Sequence, residues 1–154
     1  MLIATGKQDA KLSYKKVTGC HPNIAFIGRI PVHIENHNGY TPARFEQLQT
    51  LERYFGNLNK NNIKIEHFRA HSASYQINVI NALEGWVKFF YIRTMDFEDI
   101  REACSQIVEW KTIRINNEMK EVASILYQPK NCNKAHRIVV TRNKRKDGQI
   151  DLLS

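Results

Sequence analysis

The sequence predicts an α/β domain that is followed by a small antiparallel β-rich segment. Between residues 24 and 108, short apolar or alternating runs take turns with longer runs in which apolar residues recur every three or four positions. This is the pattern of strands that alternate with amphipathic helices. From residue 110 to residue 141, three runs rich in β-branched and aromatic residues are separated by polar turns, which is typical of an antiparallel sheet.

Two strands are predicted first, and they form an antiparallel pair. Residues 24–28 are a continuous apolar run between turn residues, which predicts a buried strand. Residues 30–35 alternate in the strand manner, and Pro31 restricts that strand to an edge or a first position because proline donates no ladder hydrogen bond. Residues 36–39 form a turn, since Asn and Gly tolerate positive φ.

Helices and strands then alternate. Thr41 and Pro42 predict a helix start, and that helix carries its apolar face to residue 58 and ends in residues 59–62. The remaining predicted elements are a strand at 63–70, a helix near 75–86 that ends close to Gly85, a strand at 87–92, a helix to about residue 108, and strands at 110–115, 122–127 and 137–141.

Residues 63–74 are the part of this pattern in which chemistry is most expected. A turn follows the strand that ends at Ala70, and Ser72 and Ser74 are both suitable helix N-caps. Functional side chains in α/β domains commonly lie where such a strand ends. Here that residue is His71.

Composition limits the class of protein. A chain of 154 residues with 42% hydrophobic residues suits one ordinary globular domain. No apolar run reaches the ~20 residues that span a bilayer, and the N-terminus lacks a signal-peptide pattern. We therefore expect a soluble cytoplasmic protein without membrane contact. Cys20, Cys104 and Cys132 form no CxxC pair, which indicates unrelated reduced thiols.

The net charge of +8 is distributed unevenly. After residue 128 there are seven Lys or Arg against two Asp, and a second basic cluster lies in residues 7–16. Such ends suit a polyanion, above all nucleic acid, although a solvated basic tail produces the same composition. The residues proposed to contact DNA weakly and without sequence preference are Lys15, Lys16, Arg142, Lys144, Arg145 and Lys146.

Several segments carry a more specific signal. They are Tyr14-Lys15-Lys16, Gly19-Cys20-His21-Pro22, the strand at 24–27, Glu35-Asn36-His37-Asn38-Gly39 and Phe68-Arg69-Ala70-His71-Ser72-Ala73-Ser74. In this order, over residues 11–153, the chain resembles the insertion-sequence DDE transposases. The resemblance implies a partial ribonuclease H-like mixed sheet with flanking helices at 1–109, and the start of a β-rich insertion at 110–154.

The resemblance also implies a chemistry. In that family three carboxylates hold two Mg²⁺ ions, which activate a water or a DNA 3′-hydroxyl and stabilise the leaving oxygen. The position of the second aspartate is occupied here by His71. The first aspartate belongs on a strand expected before the Tyr-x-Lys segment, and the glutamate belongs on a helix expected after residue 154. We therefore expect a truncated, catalytically inactive copy that binds no Mg²⁺ and has no small-molecule substrate.

Other kinds of site are weaker on sequence grounds. His33, His37, His67 and His71 lie on or beside predicted strands, so an unrelated small metal-binding protein stays open, but scattered histidines are the better interpretation. Asp96, Glu98, Asp99 and Glu102 are interpreted as first-turn acids of a helix rather than an acid–base pair. Ser72 has no nucleophile-elbow setting, Cys104 is predicted mid-helix, and the chain has no Gly-rich phosphate loop.

Two functional hypotheses follow from the resemblance. The first is an inactive remnant of a transposase. The second is a DNA-binding or oligomer-forming module that modulates an intact transposase through shared surfaces. Because the first strand of the family's sheet is expected to be missing, we also predict an unpaired strand edge, and with it self-association or poor solubility.

Overall fold

A computed structural model describes residues 2–3, 10–13, 16–144 and 150–153, with only the backbone considered at 2–3, 143–144 and 150–153. Within these residues the fold is mixed α/β, with three sheets and three α-helices. The strands are β1 (Leu2–Ile3), β2 (Lys11–Leu12), β3 (Thr18–Ile27), β4 (Ile30–Asn38), β5 (His67–Ala70), β6 (Phe89–Ile92), β7 (Lys111–Ile115), β8 (Glu118–Tyr127), β9 (His136–Lys144) and β10 (Ile150–Leu153). The helices are α1 (Gln47–Lys60), α2 (Ile77–Trp86) and α3 (Glu98–Ser105).

The chain divides into two compact units. The first comprises Met1–Phe68 and Ala82–Phe90, and the second comprises Arg69–Asn81 and Tyr91–Ser154. The division at residue 109 that the resemblance implies stays a prediction. None of the described helices is long and apolar enough to cross a membrane.

β3 and β4 form the predicted antiparallel hairpin, but the turn predicted at 36–39 is wrong for residues 36–38, because these residues continue β4 and pair with β3. Ile24 lies opposite Ile34, and Gly28 closes the turn with a φ of 61°. Among the described strands β4 pairs with β3 alone, which confirms the edge position expected for Pro31. The prediction of a buried strand at 24–28 is wrong, because Ile24 and Phe26 are exposed. Burial depends on what covers each face, and an apolar run does not encode that.

Helix α1 begins at Gln47, five residues later than the start that Thr41 and Pro42 predict. The backbone amide of Thr41 donates to the side-chain and main-chain oxygens of Asn38, so Thr41 closes a turn instead of capping the helix. The buried face of α1 consists of Thr50, Leu51, Tyr54, Phe55 and Leu58. Its apolar members confirm the three- and four-residue spacing that predicts the helix.

The segment around His71 folds partly as expected, because the strand predicted at 63–70 is a strand only from His67 to Ala70. β5 ends at Ala70 and pairs with β6 in a two-stranded sheet. Ser72–Ser74 form a single 3₁₀ turn whose N-cap residue is His71, and α2 starts three residues later. Neither serine caps α2, so that part of the prediction is wrong. Val79 and Leu83 of α2 are fully buried, as their spacing predicts.

The second unit contains a four-stranded antiparallel sheet in the order β10-β9-β8-β7. The predicted runs at 110–115, 122–127 and 137–141 correspond to β7, β8 and β9, whereas β10 was not predicted. Asn116 and Asn117 join β7 to β8 with positive φ at both residues, which is the geometry of a tight hairpin turn. Ile100 and Cys104 of α3 form a buried cluster with Ile138 and Val140 of β9.

Candidate functional site

His71 lies directly after β5, at the position where the sequence analysis expects chemistry. Its backbone is extended, with φ −81° and ψ 170°, and its side chain is exposed. The imidazole Nδ1 is 3.1 Å from Ser72 Oγ. Because Ser72 is the neighbouring residue in the chain, this contact orients the ring locally and brings in no distant acid or base.

No described set of metal ligands forms around His71. Among the residues of the chain that the structure describes, no group of three His, Cys, Asp or Glu donor atoms within 4.8 Å of one another includes His71. An exposed imidazole bonded to a hydroxyl is a poor ligand for Mg²⁺, which prefers carboxylate and other oxygen donors. Among the described residues, the end of β5 therefore offers a hydrogen-bonding imidazole and no three-ligand metal site.

The acidic residues before and within α3 have structural partners. Glu98 and Asp99 lie in the first turn of α3, as predicted, where their charge opposes the helix macrodipole. Asp96 lies 3.2 Å from Arg101 Nε. Asp99 accepts hydrogen bonds from its neighbour's backbone amide, at 3.0 Å, and from the hydroxyl of Tyr127. Burial of the phenol and this hydrogen bond to Asp99 raise the pKa of Tyr127 to about 12.

The histidines proposed as alternative metal ligands are engaged in separate contacts. His33 Nε2 donates to Glu35 at 3.0 Å, and the His37 ring meets Phe45 edge-on. His67 stacks on Phe89 with ring centroids 5.0 Å apart. Within the described part of the chain, none of His33, His37, His67 and His71 belongs to a three-donor cluster. The observed contacts are those of hydrogen-bonded and stacked histidines.

All three cysteines are free thiols in buried positions. Burial raises the pKa of Cys104, which lowers its thiolate fraction and makes it a poor nucleophile. Cys132 Sγ donates to Asn81 Oδ1 at 3.3 Å, and the same oxygen accepts from the backbone amide of Asn133. These contacts use Cys132 to hold a loop.

Sequence reasoning missed a polar cluster in the first unit that is centred on Glu35. Glu35 in β4 accepts hydrogen bonds from His33, Thr50 and Arg53, and its side chain is only 16% exposed. Arg53 lies 18 positions away in α1, so no short motif connects the two residues. Each donor already points at a carboxylate of the same chain, and the cluster therefore fastens α1 to the hairpin.

Among the proposed DNA-binding residues, Lys16 and Arg142 are those whose side chains the structure describes. Lys16 is exposed and has a φ of 57°. Lys144 is the last residue of β9, where only its backbone is described. Lys15, Arg145 and Lys146 lie outside the described residues.

The side chain of Arg142 already contacts a carboxylate and an aromatic ring within the second unit. Its Nε donates to Glu121 Oε2 at 2.7 Å, and both side chains are about four-fifths buried, with exposures of 21% and 23%. The guanidinium carbon also lies 4.1 Å from the centroid of the Trp110 ring. An arginine held by a carboxylate and an aromatic face has little freedom to reach a phosphate.

Comparisons with known proteins do not identify a family. No protein-family model, no curated protein and no solved structure matches this chain.

Proposed function

We propose that this chain is a catalytically inactive relative of the insertion-sequence DDE transposases. The motif order from Tyr14 to Ser74 supports the proposal. So does the element order, in which a hairpin, a helix and the strand that leads to His71 are followed by α2, β6 and α3. The antiparallel sheet β7–β10 comes where the resemblance expects the β-rich insertion. The ribonuclease H-like arrangement itself is part of this proposal.

The observation that carries the proposal of inactivity is the exposed imidazole of His71 at the end of β5. In the family this position supplies a carboxylate to a pair of Mg²⁺ ions that clamp the attacking and leaving oxygens. An imidazole donates one nitrogen lone pair, carries no negative charge and matches hard Mg²⁺ poorly. Loss of this one ligand is sufficient to remove the two-metal mechanism, whatever the other positions hold.

The direct test is an assay for metal-dependent DNA chemistry. The purified chain is incubated with supercoiled plasmid and with short duplexes, in Mg²⁺ and separately in Mn²⁺, and nicking and strand transfer are measured. We expect no turnover for the wild-type chain or for His71→Ala. Turnover by the wild type that His71→Ala abolishes would contradict the proposal.

A second variant tests the reason for inactivity. His71→Asp restores a carboxylate at the position that the family uses, and circular dichroism verifies that the fold is kept. We expect this variant to remain inactive in the isolated chain, because the metal pair needs three carboxylates and this change supplies one. Activity in His71→Asp would show that the other two carboxylates are present in the folded protein.

A second candidate function is a DNA-binding module that modulates an intact transposase. The observation that favours it is the charge of +8 together with the exposed Lys16. Such binding is dominated by phosphate contacts, so its affinity must fall as salt rises. Fluorescence anisotropy with duplexes of unrelated sequence tests this, and the absence of binding at low salt would refute it.

The two candidates predict different behaviour beside an active enzyme. Co-expression with a full-length relative, in a strain that carries a marked transposable element, reports whether transposition falls. A modulator lowers the transposition frequency, and an inert remnant leaves it unchanged. The charge-reversed variant Lys16→Glu is the matched control for an effect that depends on DNA binding.

A further inference from the structure

Among the described strands, none pairs with one edge of β3 over most of its length. β3 pairs with β4 from Cys20 to Ile27, and Cys20 also pairs with Leu2 of β1 on its other side. β1 covers only Gly19 and Cys20 on that side. Within the described residues, positions 21–27 of β3 therefore present backbone donors and acceptors along one edge with no strand beside them. Such an edge is a template for another strand.

The face of the hairpin next to this edge is apolar. Ile24 and Ile34 lie opposite each other and are 45% and 61% exposed, and Phe26, which follows Ile24 on the same side of β3, is 56% exposed. Successive residues of a strand point to opposite faces. The alternate residues His33 and Glu35 contact α1, at Tyr54 and Arg53 respectively. Helix α1 therefore covers the polar face of the hairpin, and the apolar face is left exposed.

The free edge of β3 carries no charged side chain. Residues 21–27 contain no Lys, Arg, Asp or Glu, although the chain carries a net charge of +8. Natural edge strands are usually protected by charged side chains, above all lysine, and here Pro22 is the one protecting residue. Two copies of a strongly basic chain repel each other least where both surfaces are uncharged.

The order of residues along β3 makes this edge complementary to itself. If two β3 strands run antiparallel about a twofold axis through Ala25, Ile24 of one copy lies opposite Phe26 of the other, and Asn23 lies opposite Ile27. Both apolar residues then stay on the same face of a joined four-stranded sheet. A twofold contact of this kind uses the same surface of both copies and closes as a dimer.

We propose that this edge of β3 is a homodimerisation surface, and that its occupant is β3 of a second copy of this chain. The main-chain hydrogen bonds of residues 23–27 supply the pairing, and Ile24, Phe26 and Ile34 supply the apolar contact. This inference does not depend on the proposed relationship to transposases. It also identifies the edge of β3 as the surface for the self-association that the sequence predicts.

Sedimentation equilibrium over a wide range of protein concentrations tests the proposal. We expect a monomer–dimer equilibrium that strengthens as salt is raised, because salt screens the repulsion between two basic chains. Phe26→Lys places like charges near each other across the axis and is expected to weaken the dimer at least about tenfold. Val108→Lys makes the same change at an exposed residue of the second unit, and is expected to leave the equilibrium unchanged.

Cysteine cross-linking tests the register without depending on the lysine variant. Ala25→Cys places one thiol opposite its own copy, within the Cα separation that a disulfide requires, so mild oxidation should give a reducible dimer. Asn23→Cys lies opposite Ile27 in this register and is expected to cross-link far less. A protein that stays monomeric at every concentration would overturn the proposal. So would a dimer that Phe26→Lys does not weaken and that Ala25→Cys does not cross-link.

Discussion

Arg53 in α1 holds Glu35 in β4 with two hydrogen bonds, from Nε to Oε1 at 2.5 Å and from Nη2 to Oε2 at 2.7 Å. Thr50 donates to the same carboxylate at 2.6 Å, and His33 donates at 3.0 Å. Four polar groups from one helix and one strand therefore share a single site in the first unit. The hydrogen bond from Arg53 is the largest cause that lowers the pKa of Glu35 to about 2, against the opposing effect of burial.

The ion pair of Glu35 and Arg53 predicts that the protein loses stability in acid. Glu35 has a lower pKa in the folded state than its ordinary value of 4.5, so it stabilises the fold above that value and loses this contribution as the pH falls towards 2. At pH 7, Glu35→Gln should lower the free energy of unfolding by about 1 kcal/mol, since Arg53 is half exposed. Urea unfolding at pH 7 and at pH 3 measures both effects.

Glu52→Gln is the matched control for Glu35→Gln, because it removes an exposed carboxylate from α1, the helix that carries Arg53. Its free energy of unfolding should change much less than that of Glu35→Gln. Equal losses in the two variants, or a difference between Glu35→Gln and wild type that persists undiminished as the pH is lowered to 2, would contradict the assigned role of Glu35.

The contacts of Arg142 predict that it stabilises the second unit. Arg142→Gln removes the ion pair with Glu121 and the cation–π contact with Trp110, and should cost about 1–2 kcal/mol because both contacts are mostly shielded from solvent. The fluorescence emission of Trp110 should also shift. Arg137→Gln, at an exposed position of the same strand, is expected to change neither quantity appreciably.

The raised pKa of Tyr127 predicts a component at unusually high pH in an alkaline titration. Its folded-state pKa of about 12 exceeds the ordinary value of 10.0, so its contribution to stability is complete below pH 10 and is lost as the pH rises through 12. Phenolate absorbance should show a component near pH 12 that Tyr127→Phe removes and that Asp99→Asn moves to lower pH. Tyr40→Phe, at an exposed tyrosine, should leave that component intact.

The C-terminus of α1 predicts opposite effects for two asparagines. Asn62 has a φ of 57°, and the amides of Asn62 and Ile63 donate to the carbonyls of Asn59 and Leu58, which is the Schellman arrangement. Asn62→Ala should lower the free energy of unfolding by about 1 kcal/mol, because alanine avoids this conformation. Asn62→Gly should match or exceed wild type. Asn57→Ala, on the exposed side of α1, should be slightly stabilising, since alanine has the higher helix propensity.

The sequence predicted the elements whose signals are local. The alternating run at 30–35 predicts β4, apolar residues three and four apart predict α1, and the run that ends at Ala70 predicts the strand before His71. Each of these signals lies within a few residues of the structure that it specifies. β1 and β2, with two residues each, are too short to produce a period and were missed.

The candidate site could be predicted only in part, for the same reason. The place of His71 at a strand end follows from local pattern, and the structure confirms it. The hydrogen bonds from Thr50 and Arg53 to Glu35 and from Arg142 to Glu121 join residues that are 15 to 21 positions apart. No periodicity connects such pairs, so the sequence offered no signal that these charges are internally neutralised.

The linear order of residues is enough to decide that an imidazole, and no carboxylate, follows β5, and that alternating strands meet an amphipathic helix. Folding in three dimensions decides which side of the β3–β4 hairpin α1 covers. A period of two shows that a strand has two different faces. Which of these faces is buried depends on the elements from elsewhere in the chain that pack against it. Here Arg53 binds Glu35 on the polar face, and the isoleucines of the other face remain exposed.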